Sequence, residues 1–230
     1  MEDIASNIQR VRERITRAAS LCGRSESEIT LLAVTKTFPV AMITEAIGAG
    51  LVHLGENRVQ EAEPKIRSLS GRADLEWHLV GHLQSNKARL AAELFHAVHS
   101  LDSVKLAKKL SQACLETGKS LSVLIQVDLG EEPTKFGVPR DLVRELASEI
   151  GRLPGLRLDG LMTIPPFFQD SDQTRPFFAE LREIRDRLEH ESPGCLGEKH
   201  LSMGMSHDFE IAIAEGATIV RIGTAIFGSR

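Results

Sequence analysis

"LLAVTKTFPVAMITEAIGAGLVHLGE", residues 31–56, contains an apolar run, a helical pattern and a second apolar run. The first run leads into Thr35 and Lys36, and Pro39 soon breaks it. Residues 40–50 then follow helical period and close on Gly48 and Gly50, which suit a helix C-terminus. The second run, 51–56, is again long enough for one buried strand. A strand, a helix and a strand in that order predict a right-handed crossover between parallel neighbours.

The unit recurs in both directions from there. Further strand-length runs lie at 76–81, 95–100, 121–129, 156–163, 199–204 and 218–223, which brings the total to eight. Helical patterns lie between them. Residues 103–118 start on a possible Ser103 cap and stop at Gly118; 139–155 place Pro139 near a first turn; 174–191 and 206–216 complete the set. Eight alternating units in 230 residues predict an α/β fold, a (β/α)8 barrel of the TIM type. An open doubly wound sheet also alternates, but with fewer strands and an early glycine-rich loop. No G-x-G-x-x-G follows the first run. Residues 3–20 carry Ile4, Ile8, Val11 and Ile15 on one stripe and predict an extra helix before the barrel. No linker composition divides the chain, so residues 1–230 read as a single domain.

Composition narrows the function classes. Lys plus Arg is 28 against 32 for Asp plus Glu, a net charge of -4, which leaves no basic footprint for nucleic acid. No apolar run approaches the roughly 18 residues of a membrane span. The N-terminus brings Glu2 and Asp3 at once and lacks the apolar core of a signal peptide. Cys22, Cys114 and Cys195 are far apart, with no metal or redox spacing. They read as reduced packing thiols of a cytoplasmic protein. A monomer is expected, since no exposed apolar stripe is evident.

In such a barrel, chemistry gathers where the strands end. Lys36 stands at the first of those ends. It reads either as a lysine snorkelling into water or as a Schiff-base nucleophile, its pKa lowered among apolar neighbours. The segments after the last two strands, "SMGMS" at 202–206 and "RIGTAIFG" at 221–228, have the make-up of a phosphate cradle. Gly223 lets the backbone approach an anion and Thr224 offers a hydroxyl, with free N–H groups at a helix start. Ordinary turn chemistry would use the same residues. Asp208 and Glu210 already complement the dipole of the helix after Ser206, so 223–228 is expected to bear most of the phosphate. Arg221 lies inside an apolar strand and must find a partner, either a helix-side carboxylate or a ligand in the barrel. His78 and His82, four apart, and His96 and His99, three apart, would pair as ligands on a helix. Here they fall on strands and loops, so no metal is expected. They read as rim or structural residues, with His78 alone placed to see the site.

"AVTKTFP" (33–39), "LGENRVQE" (54–61), "EWHLVGHLQSNK" (76–87), "SMGMSHDFEIAIAEGAT" (202–218) and "VRIGTAIFG" (220–228) together resemble the pyridoxal phosphate homeostasis protein family. Order and spacing match over nearly the whole chain. That family is similar to the barrel domain of alanine racemase and of eukaryotic ornithine decarboxylase, without their second β-domain. The resemblance implies pyridoxal 5'-phosphate as cofactor. It implies that Lys36 forms the internal aldimine and that Ser206, Gly223 and Thr224 hold the phosphate. It also implies that Arg221 faces the pyridine nitrogen and that Asn57 and Met205 line the cofactor. Two positions depart from the family pattern: Phe38 stands where many members have lysine, and Arg58 where many have tyrosine.

A guanidinium beside the pyridine nitrogen cannot take its proton, so the ring is a weaker electron sink than with an acidic partner. Two-base racemisation needs a second acid/base group opposite the lysine. In alanine racemase that group is a tyrosine, and this chain has none. A barrel without a second domain also leaves its site open to water. The expectation is a non-catalytic carrier that buffers pyridoxal phosphate and hands it to apoenzymes. A racemase or decarboxylase of the alanine racemase type is the alternative. A cofactor-free aldolase using Lys36 on a sugar phosphate ranks third.

Overall fold

The computed structural model describes residues 3–130 and 136–228. In chain order its elements are α1 (Ile4–Leu21), β1 (Thr30–Val34), α2 (Val40–Gly48), β2 (His53–Glu56), α3 (Val59–Ser68) and β3 (Glu76–Leu79). Then come α4 (Ala88–Leu94), β4 (Ala97–Leu101), α5 (Val104–Thr117), β5 (Leu121–Asp128), β6 (Val138–Pro139) and α6 (Val143–Ile150). The chain continues through β7 (Leu156–Met162), α7 (Arg175–Glu191), β8 (His200–Met205), α8 (Phe209–Ala214), β9 (Ile219–Ile222) and α9 (Thr224–Phe227).

All strand pairings are parallel, and the sheet closes on itself. β1 pairs with β2 on one side and β9 on the other, and β4 pairs with β5. The expected (β/α)8 barrel is therefore present, with each predicted run supplying one of its eight strands. The two-residue β6 is an addition that hangs on the end of β5. Inside the barrel, Leu32, Val80, Leu124, Met162 and Ile219 form a small apolar cluster. The main core lies outside it, between sheet and helices. That division follows from the strands: both faces are covered, so their runs are apolar almost throughout.

Local chemistry explains most of the boundaries. The Ser103 hydroxyl accepts from Leu106 N at 3.4 Å and opens α5, and Gly118 ends it at φ 66°. The N-terminal helix buries its Ile4, Ile8, Val11 and Ile15 stripe. Asn7 ties it to α9 by donating from Nδ2 to the Ile226 carbonyl at 2.8 Å. Helix α3 is absent from the sequence reading because Pro64 interrupts its pattern. α4 is short and half alanine-lined, and it too carries no clear signal. One placement is corrected. Pro139 is not in the first turn of α6 but in β6; a single 3-10 turn, 140–142, separates it from the helix. Proline lacks the N–H that a central strand needs, and β6 has only β5 as a neighbour. Among the described residues no helix is long and apolar enough to cross a membrane.

Candidate cofactor site

Four consecutive strands, β2, β1, β9 and β8, bring the predicted residues to one mouth of the barrel. Asn57 follows the last residue of β2 and is half-buried. Lys36 stands two residues beyond β1, also half-buried. Gly223 follows β9, Thr224 opens α9, and Met205 is the last residue of β8 with Ser206 next.

The Lys36 turn is tightly held. Phe38 N donates to the Thr35 carbonyl at 3.1 Å, which closes a four-residue turn around Lys36 and Thr37. Thr37 takes φ 66°, a left-handed conformation unfavourable for a β-branched residue. Strain of this kind gathers at functional sites and persists only where the surroundings enforce it. Here the enforcement is visible. Thr35 is buried; its N–H donates to Gly55 O at 2.8 Å and its hydroxyl to Glu56 Oε1 at 2.7 Å. Lys65 Nζ reaches in from α3 and donates to both the Thr35 carbonyl at 2.8 Å and Glu56 Oε1 at 2.6 Å. Phe38, the departure from the family pattern, stacks against Phe227 of α9 with ring centroids 4.8 Å apart. It thus joins the Lys36 turn to the segment after β9.

Just past β9, the neighbour of β1, two backbone N–H groups converge on one oxygen. Gly223 N and Ala225 N donate to Ser206 Oγ at 3.2 and 3.3 Å. Ser206, after β8, and the Gly223 and Ala225 N–H groups, after β9, thus meet at one point, so both predicted segments are brought together. Asp208 braces it by accepting from Met205 N at 2.6 Å. Burial raises the Asp208 carboxyl above its usual value, against the lowering effects of that hydrogen bond and of Arg221. Gly204, at φ 87°, admits no side chain: a Cβ there would lie 2.5 Å from the Ala212 Cβ. Gly81 is needed for a similar reason, since its Cβ would meet the Asn57 carbonyl at 2.3 Å.

Arg221 faces into the barrel and is only 4% exposed. Its Nη1 donates to Ser202 Oγ and its Nη2 to the Thr163 carbonyl, both at 2.8 Å. Among the described residues it pairs with no carboxylate, so the bland alternative of a helix-side ion pair is not realised. Burial pulls the guanidinium down to about 10, with the charge of Asp208 countering. It remains a cation at neutral pH. Arg58, the second departure, is exposed and pairs with Glu61 at 3.3 Å. It lines a cavity of about 590 Å³ beside the mouth, together with Asn57, Gly81, His82, Lys87 and Phe136.

His78 does not see this mouth. It lies within β3 and hydrogen-bonds inward, Nδ1 to His99 Nε2 at 3.0 Å, and His99 Nδ1 meets Ser202 Oγ at 2.9 Å. Desolvation drives His78 down to about 3, helped by the nearby His53, His96 and His200. His99 also falls well below the ordinary histidine value through burial, with His78 and Arg221 adding to the effect. The sequence reading placed Glu56, Thr163 and Ser202 at strand ends without giving them these partners, and it did not single out Lys65. Polar residues at inward strand positions were the available signal for the first three.

The donor set suits pyridoxal phosphate. A donor-only cation inside the barrel complements an acceptor ring nitrogen. The N–H pair on Ser206 Oγ suits a phosphate oxygen. A lysine sits on a fixed turn just past β1, the strand beside β9.

Fold and site together define a barrel of the alanine racemase N-terminal domain class, and residues 2–230 match the family described as "Alanine racemase, N-terminal domain". More narrowly, the chain belongs to the family of the pyridoxal phosphate homeostasis proteins. It is 45% identical to the one from Aquifex aeolicus, over 97% of this chain and 96% of that relative. It is 44% identical to the one from Escherichia coli strain K12, over 100% and 98%. PipY of Synechococcus elongatus PCC7942, solved with PLP bound, superposes with a TM-score of 0.83 at 41% identity, over 94% of this chain and 100% of that one. Alanine racemase of Clostridium difficile 630 superposes with a TM-score of 0.70 at 17% identity, over 99% of this chain and 57% of that one, and shows the shared fold alone.

Proposed function

We propose that this chain binds pyridoxal 5'-phosphate as a Schiff base on Lys36, buffers the reactive aldehyde and delivers it to apoenzymes without catalytic turnover. The observation that carries the reading is Arg221: a buried guanidinium facing the barrel interior and bonded, among the described residues, to neutral oxygens alone. Such a group needs a ligand that accepts and does not protonate. The names of the relatives support the same reading, as does the PLP bound by PipY.

The cofactor supplies an aldehyde that condenses with an amine and releases water. The rest is the work of this chain's residues. The turn at 35–38 holds the Lys36 amine at the mouth, anchored from below by Lys65 and Glu56. Ser206, Gly223 and Thr224 would hold the phosphate, beside the Gly223 and Ala225 N–H groups that donate to Ser206 Oγ. Asn57 and Met205 would line the cofactor. Arg221, a donor-only cation, would give the ring nitrogen no acidic partner and leave the ring a weaker electron sink. The chain contains no tyrosine to serve as a second base. We place the protein in the cytoplasm as a monomer, acting on no nucleic acid.

The test is the visible absorption spectrum of purified protein, wild type beside Lys36→Ala, followed by racemase and decarboxylase assays. A bound-cofactor band in the wild type alone, with no turnover of amino acids, is the expected result. No band after adding pyridoxal phosphate would overturn the reading. A band accompanied by inversion of alanine would replace the carrier with a racemase.

A further inference from the structure

At the opposite end of the barrel, three side chains aim donor atoms at one point. His53 and Glu76 are direct partners in the β2–β3 register, and His78 lies two residues along β3 on the same face as Glu76. His53 Nδ1 is 3.4 Å from His78 Nε2 and 3.3 Å from Glu76 Oε2, and His78 Nε2 is 3.8 Å from that same oxygen. Each contact is long for a hydrogen bond, whose N–H···O distance centres near about 2.9–3.0 Å. The triangle fits something else. Ligands held at roughly 2.0–2.1 Å around a tetrahedral zinc ion lie about 3.3 Å from one another.

We propose that His53, Glu76 and His78 form a binding site for a zinc-class divalent ion at the N-terminal end of the barrel. Two imidazoles and one carboxylate are a set that zinc accepts and that calcium and magnesium, which want oxygen alone, do not favour. Access is open: the Glu76 side chain is 52% exposed, which leaves the fourth position to water. The cations of the adjoining cavity are engaged elsewhere. Arg157 binds Asp159 at 2.8 Å, and Lys119 donates to the Glu93 carbonyl at 2.5 Å.

The ligand histidine has the outer partner such sites use. A metal on His78 Nε2 fixes the proton on Nδ1, which donates to His99 Nε2. His99 must then carry its own proton on Nδ1 and donate to Ser202 Oγ. That oxygen also accepts from Arg221. Without the ion, the chain can run the other way, from the Ser202 hydroxyl to His99 and then to His78. One ion at the floor therefore sets the tautomers of a hydrogen-bond line that ends on the guanidinium. No part of this depends on which cofactor the other mouth holds.

Isothermal titration of the metal-stripped full chain with zinc sulfate tests the site, with His53→Ala, Glu76→Gln and the surface variant His190→Ala alongside. One ion per wild-type chain is expected, with affinity at least about tenfold weaker in the first two variants and unchanged in the third. The visible spectrum of the cobalt-loaded wild type is expected to show the strong bands of four-coordination. The 15N shifts of histidine-labelled protein should place the His99 proton on Nδ1 when zinc is added. No uptake by the wild type, equal affinity in His53→Ala and Glu76→Gln, or a weak six-coordinate cobalt spectrum would each overturn the proposal.

Discussion

Replacing Lys65 with methionine removes the cation that pairs with the buried Glu56 carboxylate. Glu56 is fully buried, and the Lys65 side chain is 11% exposed, with Nζ 2.6 Å from Oε1. Among the described residues Glu56 Oε2 already lacks a hydrogen-bond partner, so Oε1 carries the whole compensation. Breaking one side of a buried pair costs about 3–5 kcal/mol, because the other charge is left without compensation. A change of 1 kcal/mol moves Tm by about 2–4 °C in a chain of roughly this size. Lys65→Met is therefore expected to lower Tm by about 6–20 °C, read by thermal and urea unfolding. The double variant Glu56→Gln/Lys65→Met is the control. Its neutral amide can still accept from Thr35 Oγ1, so it should recover at least about 1 kcal/mol through pairwise coupling. Because Lys65 also holds the Thr35 carbonyl, cofactor retention on the neighbouring Lys36 should weaken in the single variant. A loss below about 1 kcal/mol, in the range of an ordinary surface change, would refute the claim that this pair anchors the turn.

Gly204→Ala should cost about 2–5 kcal/mol, from a left-handed alanine and a clash with α8, and should weaken cofactor binding through Ser206; an unchanged melt would count against the geometry. Thr37→Gly should raise stability by a net ~0.5–1 kcal/mol while loosening Lys36, so that the melt improves and the bound-cofactor band weakens; a lower Tm would show that Thr37 is not strained. Asp208→Asn keeps an oxygen for the Met205 N–H and removes a carboxyl whose folded pKa is raised. Such a group binds more protons when folded, so its stability contribution falls as pH rises above 3.8 toward the raised value. The asparagine variant should lack that loss, so its stability relative to wild type should improve on going from acid to neutral pH in urea melts; a constant difference across that range would refute the assignment.

The barrel was legible because parallel strands covered on both faces are continuous apolar runs, and each run survived as a strand. Lys36, Gly223 and Ser206 were legible by position, since they sit just past strand ends. Other parts of the site depend on neighbours that no local pattern reveals. Glu56 ended a run and was legible as a strand-end residue, but its role requires β1 beside β2 and a lysine from α3, a helix that Pro64 disguised. His99 meets Ser202 across 103 residues of sequence, and only ring closure brings β4 and β8 to a common interior. The histidine spacings of three and four invited a helical test that strands cannot pass. The register pairing of His53 with Glu76 shows at once in a sheet and not in a sequence.

Arg221 argues most directly that the barrel interior is built for a ligand. A charge taken out of water costs several kcal/mol unless matched, and well-packed apolar side chains often stabilise a core more than a buried ion pair does. Among the described residues this guanidinium has no direct ion pair and relies on a hydroxyl, a carbonyl and the more distant charge of Asp208. Packing alone would favour a leucine or methionine beside Leu32 and Met162. A group that weakens the fold where it stands points to a use other than packing. On the proposed reading the cation would orient a ring and leave its nitrogen without a proton acceptor beside it, and the chain has no tyrosine to return a proton to a substrate carbon.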